Sequence, residues 1–214
     1  MINHPKHIAV SGNIGAGKTT LTEMLSKHYG WQPEYEDVED NPYLADFYED
    51  MHKWAFHLQV YFLNSRFEQI NKVRKGENTV IQDRTIYEDA YIFAKSLHKQ
   101  GFFKQRDYEN YKTLFDSMIR FVQPPDLLIY LKADIGKLVH NIELRGRDYE
   151  SAIRIDYLQG LNLHYDDWIG DYQEGRLLMI DVNDMDFVKS PEDFSEIVSK
   201  IDVELHGLFS NSTQ

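Results

Sequence analysis

The residues best suited to chemistry form a glycine-rich run that ends in lysine and threonine. Residues 12–19, GNIGAGKT, fit the pattern G-x-x-x-x-G-K-[ST] and lie between an apolar run and an amphipathic stretch. In such a loop the backbone N–H groups and a helix N-terminus converge on phosphate, the lysine reaches the outer phosphates, and the hydroxyl ligates Mg²⁺. The pattern predicts a nucleoside triphosphate site made by Gly12, Asn13, Ile14, Gly15, Ala16, Gly17, Lys18, Thr19 and Thr20.

Carboxylates dominate the segment that follows. Between Trp31 and Asp50 there is no Arg or Lys, and five of the seven residues from 34 to 40 are Asp or Glu. A phosphorylated acceptor would need Arg or Lys to neutralise it, whereas a neutral hydroxyl needs a carboxylate that takes its proton as the new bond to phosphorus forms. The segment therefore favours phosphate transfer to an alcohol and argues against a nucleotide kinase.

The signatures of a GTPase switch are missing from the sequence. Such a protein needs N-K-x-D to read guanine, yet the pair Asn71-Lys72 continues as Val-Arg. The D-x-x-G match at 167–170 lies in a helical pattern, away from any strand end. We therefore do not expect a GTPase.

Charge and composition limit the partners. The chain has 214 residues, 42% of them hydrophobic, and 35 acidic against 23 basic residues give a net charge of −12. This charge disfavours nucleic acid as a partner, so an anionic ligand must be bound locally. The sequence has no cysteine, no signal-peptide pattern and no apolar run of 18 residues. We expect a cytoplasmic protein that has no membrane partner.

Short apolar runs alternate with long helical patterns along the chain. Strands are predicted at 7–12, 79–83, 126–131 and 176–181, with a weaker one at 31–36. Helices are predicted at 17–29, 43–75, 86–100, 106–122, 134–169 with a break near Gly146, and 191–208. The alternation predicts an α/β fold of the P-loop NTPase type, with helices around a five-stranded parallel sheet, as one domain over residues 1–214.

One predicted helix carries a candidate binding face. Gln59, Phe62 and Arg66 are spaced i, i+3, i+7 and therefore share a side of the helix over 43–75. A glutamine, an aromatic ring and an arginine suit a pocket for a nucleobase. The glutamine amide offers one donor and one acceptor, so it pairs with adenine or cytosine in one orientation and with guanine or thymine when flipped.

Four segments together resemble the deoxynucleoside kinase family, and most closely its bacterial deoxyadenosine and deoxyguanosine kinases. They are EYEDVEDNPYL at 34–44, YEDMHKWAFHLQVYFLNSR at 48–66, DRTIYEDAYIFA at 83–94 and ELRGRDYE at 143–150, and the resemblance covers nearly the whole chain. Asp37 stands where the family usually has Pro, and Thr85 where Ser is common. The resemblance implies phosphorylation of a deoxynucleoside 5′-hydroxyl with ATP and Mg²⁺.

The resemblance also implies roles for residues that bind the acceptor. Glu36, in the EDV segment, matches the catalytic base of the family. Tyr48 matches a tyrosine that approaches the sugar 3′-hydroxyl, and Glu150 would bind the same hydroxyl. Gln59 matches the glutamine that reads the edge of the base.

The DRT segment is implied to serve both the phosphates and the base. Asp83 matches an acidic residue that helps to hold Mg²⁺, and Arg84 an arginine near the 5′-hydroxyl and the transferring phosphoryl group. Asp89 would pair with Arg66 over the base, while Phe93 would stack on the base.

The segment 143–154 is predicted to be a lid. Arg145 and Arg147 flank Gly146, which suits a mobile element that closes over the phosphoryl group and neutralises developing charge together with Lys18. Residues 181–187 resemble the loop that holds the donor adenine through backbone contacts.

Several alternatives stay open on sequence grounds. An Asp near the base favours a ring with an exocyclic amino group, and our order of acceptors is deoxyadenosine, deoxyguanosine, deoxycytidine. GTP could replace ATP as donor. A nucleoside monophosphate kinase of the thymidylate type is disfavoured by the acidic segment, and a nucleotide-binding regulatory protein by the lack of a partner-binding insert. Apolar faces near 55–70 and 106–122 suggest a homodimer.

Overall fold

The protein is described by a computed structural model that covers residues 7–35, 41–147, 150 and 153–207. Its centre is a parallel sheet of five strands in the order β2-β3-β1-β4-β5. The strands are β1 (His7–Gly12), β2 (Gln32–Glu34), β3 (Val80–Asp83), β4 (Leu127–Lys132) and β5 (Leu177–Asp181). The predicted α/β fold of the P-loop NTPase type, with a five-stranded parallel sheet, is confirmed.

Helices cover both faces of the sheet. They are α1 (Lys18–Tyr29), α2 (Leu44–Glu49), α3 (Met51–Lys75), α4 (Ile86–Glu88), α5 (Lys95–Lys99), α6 (Gln105–Ile119), α7 (Ile135–Arg145), α8 (Ile155–Gly170) and α9 (Pro191–His206), with a π-helical segment, Asp89–Ala94, between α4 and α5. Among the described residues, no helix is both long and apolar enough to cross a membrane.

The central strands are buried on both faces, which explains their continuous apolar sequences. Successive residues of β1 contribute to two different cores: Ala9 faces the core formed with α3, α6 and α8, whereas Ile8 and Val10 face the core that includes residues of α1 and α9. All six residues of β1 are buried. The carboxyl end of this rigid strand leads directly into the glycine-rich loop.

The single helix predicted over 43–75 is wrong at Asp50. This residue adopts φ −142° and ψ 86°, and its side chain accepts a hydrogen bond of 3.1 Å from the backbone N–H of Lys53. Asp50 therefore ends α2 and caps the N-terminus of α3. The break allows α2 and α3 to meet at an angle, and both helices contribute side chains to the same cavity.

The helix predicted over 86–100 contains the π-helical segment at its centre. A π-helical turn inserts extra backbone into a helix and is often found at functional sites. Both Asp89 and Phe93 lie in this segment, and both side chains reach the cavity described below.

Candidate active site

The phosphate-binding loop connects β1 to α1 with three glycines at positive φ. Gly15 and Gly17 have φ of 85° and 94°, a region that side-chain-bearing residues rarely adopt. A Cβ on Gly17 would also lie 2.9 Å from the ring of Phe187. The buried amine of Lys18 donates a hydrogen bond of 3.0 Å to the carbonyl of Asn13, so it closes the loop at the mouth of α1.

The side chain of Asn13 ties this loop to α8. Its amide donates to the carbonyl of Leu158 at 3.0 Å and to the side-chain oxygen of Asn162 at 2.6 Å. Its oxygen accepts from the N–H of Ile14 at 2.7 Å. The loop is therefore fixed to the helix that follows the predicted lid.

Thr19 and Asp83 are in direct contact. The Thr19 hydroxyl donates to Asp83 Oδ2 at 2.5 Å. Asp83 ends β3, which pairs directly with β1, so adjacent strands bring these two oxygens together. Among the described residues, no group of three or more His, Cys, Asp and Glu side chains could hold a metal alone. The donor set fits Mg²⁺, which commonly binds one or two protein oxygens together with substrate phosphates and water.

Arg84 has a strained backbone. Its φ of 72° makes it the one non-glycine residue with positive φ in the part of the chain that the structure describes. Such a conformation costs about 1–3 kcal/mol and is concentrated at functional sites. The buried guanidinium lies over the ring of Phe93, with Cζ 4.3 Å from the ring centroid. The turn thus aims a cation into the same cavity as the phosphate loop.

A cavity of about 810 Å³ joins these elements, which is the size expected of a small-molecule site. Its walls come from the phosphate loop, from β2 and β3, from α2 and α3, and from the segment around the predicted lid. The residues predicted from sequence that line it are Ile14, Lys18, Thr19, Tyr48, Gln59, Phe62, Asp83, Arg84, Asp89, Phe93, Arg145, Arg147 and Glu150.

Several lining residues give the cavity the features of a base pocket. Gln59 is buried, and its Oε1 has no hydrogen-bond partner among the described residues. Phe62 and Phe93 contribute aromatic surface to the same walls. Tyr157 also lines the cavity, and burial raises the pKa of its hydroxyl, so this group stays a hydrogen-bond donor at neutral pH.

Arg66 lies behind this pocket rather than in its wall. Its Nε is 3.4 Å from Asp89 Oδ2, and its Nη1 donates to the carbonyl of Asp83 at 3.0 Å. Arg66 and Asp89 are both almost fully buried. The pairing that the resemblance implied is present, but the contact of Arg66 with the cavity is made through Asp89.

The predicted lid begins where α7 ends. Gly146 caps α7 in the left-handed conformation, with φ 64°. Arg145 makes a two-fold contact with the carboxylate of Glu150, at 3.0 Å from Nε and 2.5 Å from Nη2. Arg147 is 3.7 Å from the same carboxylate. Glu150 is buried, so its charge is matched by two lid arginines that line the cavity.

Glu36, the predicted base, lies outside the described residues, as do 37–40. Tyr35, the residue before Glu36, is held by a chain of hydrogen bonds. Gln69 of α3 donates to the carbonyl of Tyr35 at 2.8 Å, Gln82 of β3 donates to Gln69 Oε1 at 2.9 Å, and His7 Nε2 lies 2.9 Å from Gln82 Oε1. This buried amide chain crosses the sheet from β1 to the end of β2. Tyr35 itself lines the cavity.

β2 does not neighbour the strand that leads into the phosphate loop, because β3 lies between β2 and β1. The end of β2 nevertheless reaches the same cavity, because Glu34 and Tyr35 share its lining with Lys18 and Thr19.

Two buried residues of this region were missed by the sequence analysis. Glu88 contacts the backbone of Gly12 and the guanidinium of Arg84, and Tyr165 of α8 contacts the same two residues. A signal for Glu88 existed, since Thr85 followed three residues later by Glu is the pattern of a capping box, and both of its bonds are present. Tyr165 carried no signal, because only the fold brings α8 to the phosphate loop.

Comparison with known proteins decides the family. Residues 8–206 match the family described as Deoxynucleoside kinase. The chain belongs to the deoxynucleoside kinase family. The reaction class is therefore the transfer of a phosphoryl group from ATP to a deoxynucleoside, as the sequence predicted. A monophosphate kinase of the thymidylate type finds no support in this match.

This deoxynucleoside kinase has relatives that match over nearly its full length. It is 36% identical over 201 residues to the deoxyadenosine/deoxycytidine kinase of Bacillus subtilis (strain 168), with 93% of each chain covered. It is 42% identical over 192 residues to the deoxyadenosine kinase of Dictyostelium discoideum, covering 90% of this chain and 77% of that one. A solved structure of deoxyadenosine kinase from M. mycoides with bound dATP is 30% identical and has a TM-score of 0.82, covering 93% of this chain and 100% of that one.

Proposed function

We propose that this kinase, with Mg²⁺ and ATP, phosphorylates the 5′-hydroxyl of deoxyadenosine in preference to the other deoxynucleosides. The observation that carries the proposal is the buried amide of Gln59, whose Oε1 has no partner among the described residues and whose side chain lines the cavity. A buried acceptor without a partner costs about 1–3 kcal/mol. Rotation of the terminal amide turns this oxygen towards the cavity, where a base that offers an exocyclic amino group removes the cost on binding.

The carboxylate of Asp89 supports the same choice. It lines the cavity close to the aromatic walls, and it can only accept hydrogen bonds while ionised. Adenine and cytosine present an amino donor on the edge that guanine and thymine use for a carbonyl acceptor. The relatives from B. subtilis and D. discoideum, both named as acting on deoxyadenosine, support adenine. Deoxyguanosine and then deoxycytidine are the alternatives.

Different residues of the cavity are assigned different catalytic roles. Glu36 takes the proton of the 5′-hydroxyl as that oxygen attacks the γ-phosphorus, and the bond from this phosphorus to the bridging oxygen breaks with ADP as the leaving group. Lys18, Arg84, Arg145 and Arg147 stabilise the negative charge on the transferring group. Thr19 and Asp83 would hold Mg²⁺, which when bound neutralises charge on the donor phosphates. Residues 12–20 hold the triphosphate, and residues 143–154 act as the lid of one kinase unit over 1–214.

The sugar is held at its 3′-hydroxyl by Tyr48 and Glu150. Both residues line the cavity, and Glu150 already pairs with the lid arginines. A sugar hydroxyl that donates to Glu150 therefore contacts the same carboxylate as Arg145. Binding of the acceptor is in this way linked to the position of the lid.

The enzyme is further proposed to be a homodimer that buries the outer surfaces of α3 and α6. Leu114 of α6 and Phe121, just beyond it, are 41% and 65% exposed, and Tyr91 is 37% exposed. Large exposed apolar side chains are the groups that an interface between two proteins buries. Sedimentation should show a dimer for the native chain and a monomer for Leu114→Lys, whereas a monomeric native chain would contradict this part.

One experiment tests the acceptor. The protein is incubated with ATP, Mg²⁺ and each of the four deoxynucleosides in turn, and kcat/KM is measured from the monophosphate formed. We expect deoxyadenosine to give the highest value. A higher value for another base would overturn the preference, and no product from any of the four would overturn the proposed function.

A further inference from the structure

Glu88 and Tyr165 form a buried contact directly behind the phosphate loop. Both side chains are fully enclosed, and neither lines the cavity. A fully buried carboxylate carries a high desolvation cost, which its surroundings must offset with hydrogen bonds and opposite charge. The groups around Glu88 therefore indicate what its burial achieves.

The two carboxylate oxygens of Glu88 serve different parts of the structure. Oε2 accepts from the backbone N–H of Thr85 at 2.7 Å and from its hydroxyl at 3.1 Å, which completes the capping box of α4. Oε1 lies 2.8 Å from the Tyr165 hydroxyl, 3.5 Å from the backbone N of Gly12 and 3.9 Å from Nη1 of Arg84. A helix cap requires only the contacts of Oε2 with Thr85. The contacts of Oε1 join the phosphate loop, Arg84 and α8.

The Tyr165 hydroxyl completes this junction. It lies 2.8 Å from the carbonyl of Gly12 and 3.3 Å from Nη1 of Arg84. Its single hydrogen is donated to the carbonyl or to Glu88, while its oxygen accepts from Arg84. Burial and the charge of Glu88 raise the pKa of Tyr165 well above its ordinary value, so the hydroxyl stays protonated. The Tyr165 hydroxyl therefore keeps its hydrogen across the physiological pH range.

The junction matters for catalysis because it contacts both the phosphate-binding loop and Arg84. Gly12 begins the phosphate-binding loop, and Arg84 carries the guanidinium that the strained turn directs towards the cavity. A long arginine side chain can adopt many rotamers, and misplacement of a catalytic group by about 1 Å can lower the rate by about 100-fold. Contacts of Arg84 with Glu88, with Tyr165 and with the Phe93 ring restrict that freedom.

We propose that Glu88 and Tyr165 are positioning residues that hold the Arg84 guanidinium at a fixed place relative to the phosphate loop, ready for the transferring phosphoryl group. The inference rests on the role proposed above for Arg84. It concerns the rate of phosphoryl transfer rather than the binding of the nucleoside, since neither side chain touches the cavity.

Glu88→Gln tests the carboxylate with little change in shape. The amide oxygen is expected at the Oε2 position, where it keeps both bonds from Thr85. The NH₂ group then replaces Oε1 and faces two other donors, the N–H of Gly12 and Nη1 of Arg84. Tyr165→Phe removes only a hydroxyl and tests the same junction from α8. Tyr130→Phe is the matched control, because its ring stacks on that of Tyr165, with centroids 5.7 Å apart, outside the junction.

The readouts are kcat and KM for deoxyadenosine, expressed per folded molecule after the folded fraction is measured by calorimetry. We expect kcat to fall about 10- to 100-fold in Glu88→Gln and in Tyr165→Phe, with KM for the nucleoside within about 3-fold of the native value. The double variant should lose about as much as the worse single variant, since the two residues act as a unit. Tyr130→Phe should keep native kcat.

Two results would overturn the inference. The first is a native kcat per folded molecule in Tyr165→Phe, which retains its packing even if Glu88→Gln fails to fold. The second is losses that multiply in the double variant, since independent losses would show that the two residues do not act as a unit. Failure of the proposed function is seen separately, because the native protein itself would then form no monophosphate.

Discussion

The hydroxyl of Thr19 donates a hydrogen bond of 2.5 Å to a carboxylate oxygen of Asp83. One residue lies in the first turn of α1, and the other ends the strand next to β1, so the contact depends on the register of two parallel strands. Both oxygens are the hard donors that Mg²⁺ prefers, and they point to the same wall of the cavity. The phosphate loop and the DRT turn are thus joined where the metal is proposed to bind.

Asp83→Asn is expected to weaken this site. The neutral amide keeps the shape of the side chain but loses the charge that attracts a cation, so the Mg²⁺ concentration for half-maximal rate should rise about 10-fold or more. Steady-state rates over a series of Mg²⁺ concentrations provide the measurement. Glu196→Gln, an equal change of charge on the exposed side of α9, should keep the native Mg²⁺ dependence. Identical curves for Asp83→Asn and the native enzyme would remove Asp83 from the site.

Glu36→Gln should abolish most turnover and leave folding intact. The amide cannot take the proton of the 5′-hydroxyl, and loss of a general base lowers rates by about 10²- to 10⁴-fold. ATP binding and the melting temperature should stay native. Glu39→Gln, which removes a charge from the same acidic segment, is the control and should keep native kcat. Near-native turnover by Glu36→Gln would show that another group is the base.

Glu150→Gln should reduce selection for the sugar 3′-hydroxyl. A site built to bond a substrate hydroxyl rejects the analogue that lacks it, because its buried polar group is left without a partner. The native enzyme should therefore use deoxyadenosine much better than 2′,3′-dideoxyadenosine. The ratio of the two kcat/KM values should fall by about 10-fold or more in Glu150→Gln.

The ratio of kcat/KM for deoxyadenosine to that for 2′,3′-dideoxyadenosine also shows whether Glu150 contacts the sugar or acts only by holding the lid arginines. Arg145→Lys disturbs the paired arginine and keeps Glu150, so it should lower kcat for both nucleosides alike. If Glu150→Gln also lowers the rates with both nucleosides by the same factor, the carboxylate acts only through the lid.

Stability should fall as the pH decreases below neutrality, because His7 is buried uncharged. Burial lowers the pKa of His7 below its ordinary value of 6.5, against smaller opposing effects of Gln82 and Asp126. The unfolded chain then binds the proton more tightly than the folded protein. Stability from the neutral ring is complete above pH 6.5 and is lost as the pH falls from there towards the folded pKa. The free energy of unfolding, measured by denaturant titration at several pH values, should show this slope.

Histidine variants identify the source of the slope. His7→Gln should flatten the dependence between neutral and mildly acidic pH, although part should persist because burial, Lys99 and Lys95 also lower the pKa of His164. His140→Gln, on the exposed side of α7, should keep the native slope. An unchanged slope in His7→Gln would contradict the assignment.

Local signals in the sequence predicted most of the architecture. The strands came from apolar runs, the phosphate loop from its glycine spacing, and the terminal helices from periodicity, and the structure agrees within a few residues. The break at Asp50 was missed, because a side chain that caps a helix competes with helix continuation through a single hydrogen bond. The sequence around Asp50 is compatible with a continuous helix and with a break between two helices.

Contacts between distant elements could not be predicted in the same way. The pair Arg66 and Asp89 was expected from resemblance, and the structure brings the two side chains together. The junction of Glu88 with Tyr165 joins residues 77 positions apart, and no local pattern reports on such a distance. The strain at Arg84 was also invisible, because a backbone conformation that costs free energy is imposed by its surroundings rather than by the residue.

The hydrogen bonds of the amide chain that ends at Tyr35 all run in one donor-to-acceptor direction, and the backbone carbonyl of Tyr35 sets that direction. A carbonyl can only accept, so Gln69 must present its NH₂ to Tyr35, and its oxygen must then accept from Gln82. Gln82 is left with an oxygen to offer His7, which fixes the ring nitrogen Nε2 as the protonated one. Reversing any amide would set two donors or two acceptors against each other. The tautomer of a histidine at the start of the chain's first strand is thus dictated by a peptide group next to the acidic segment.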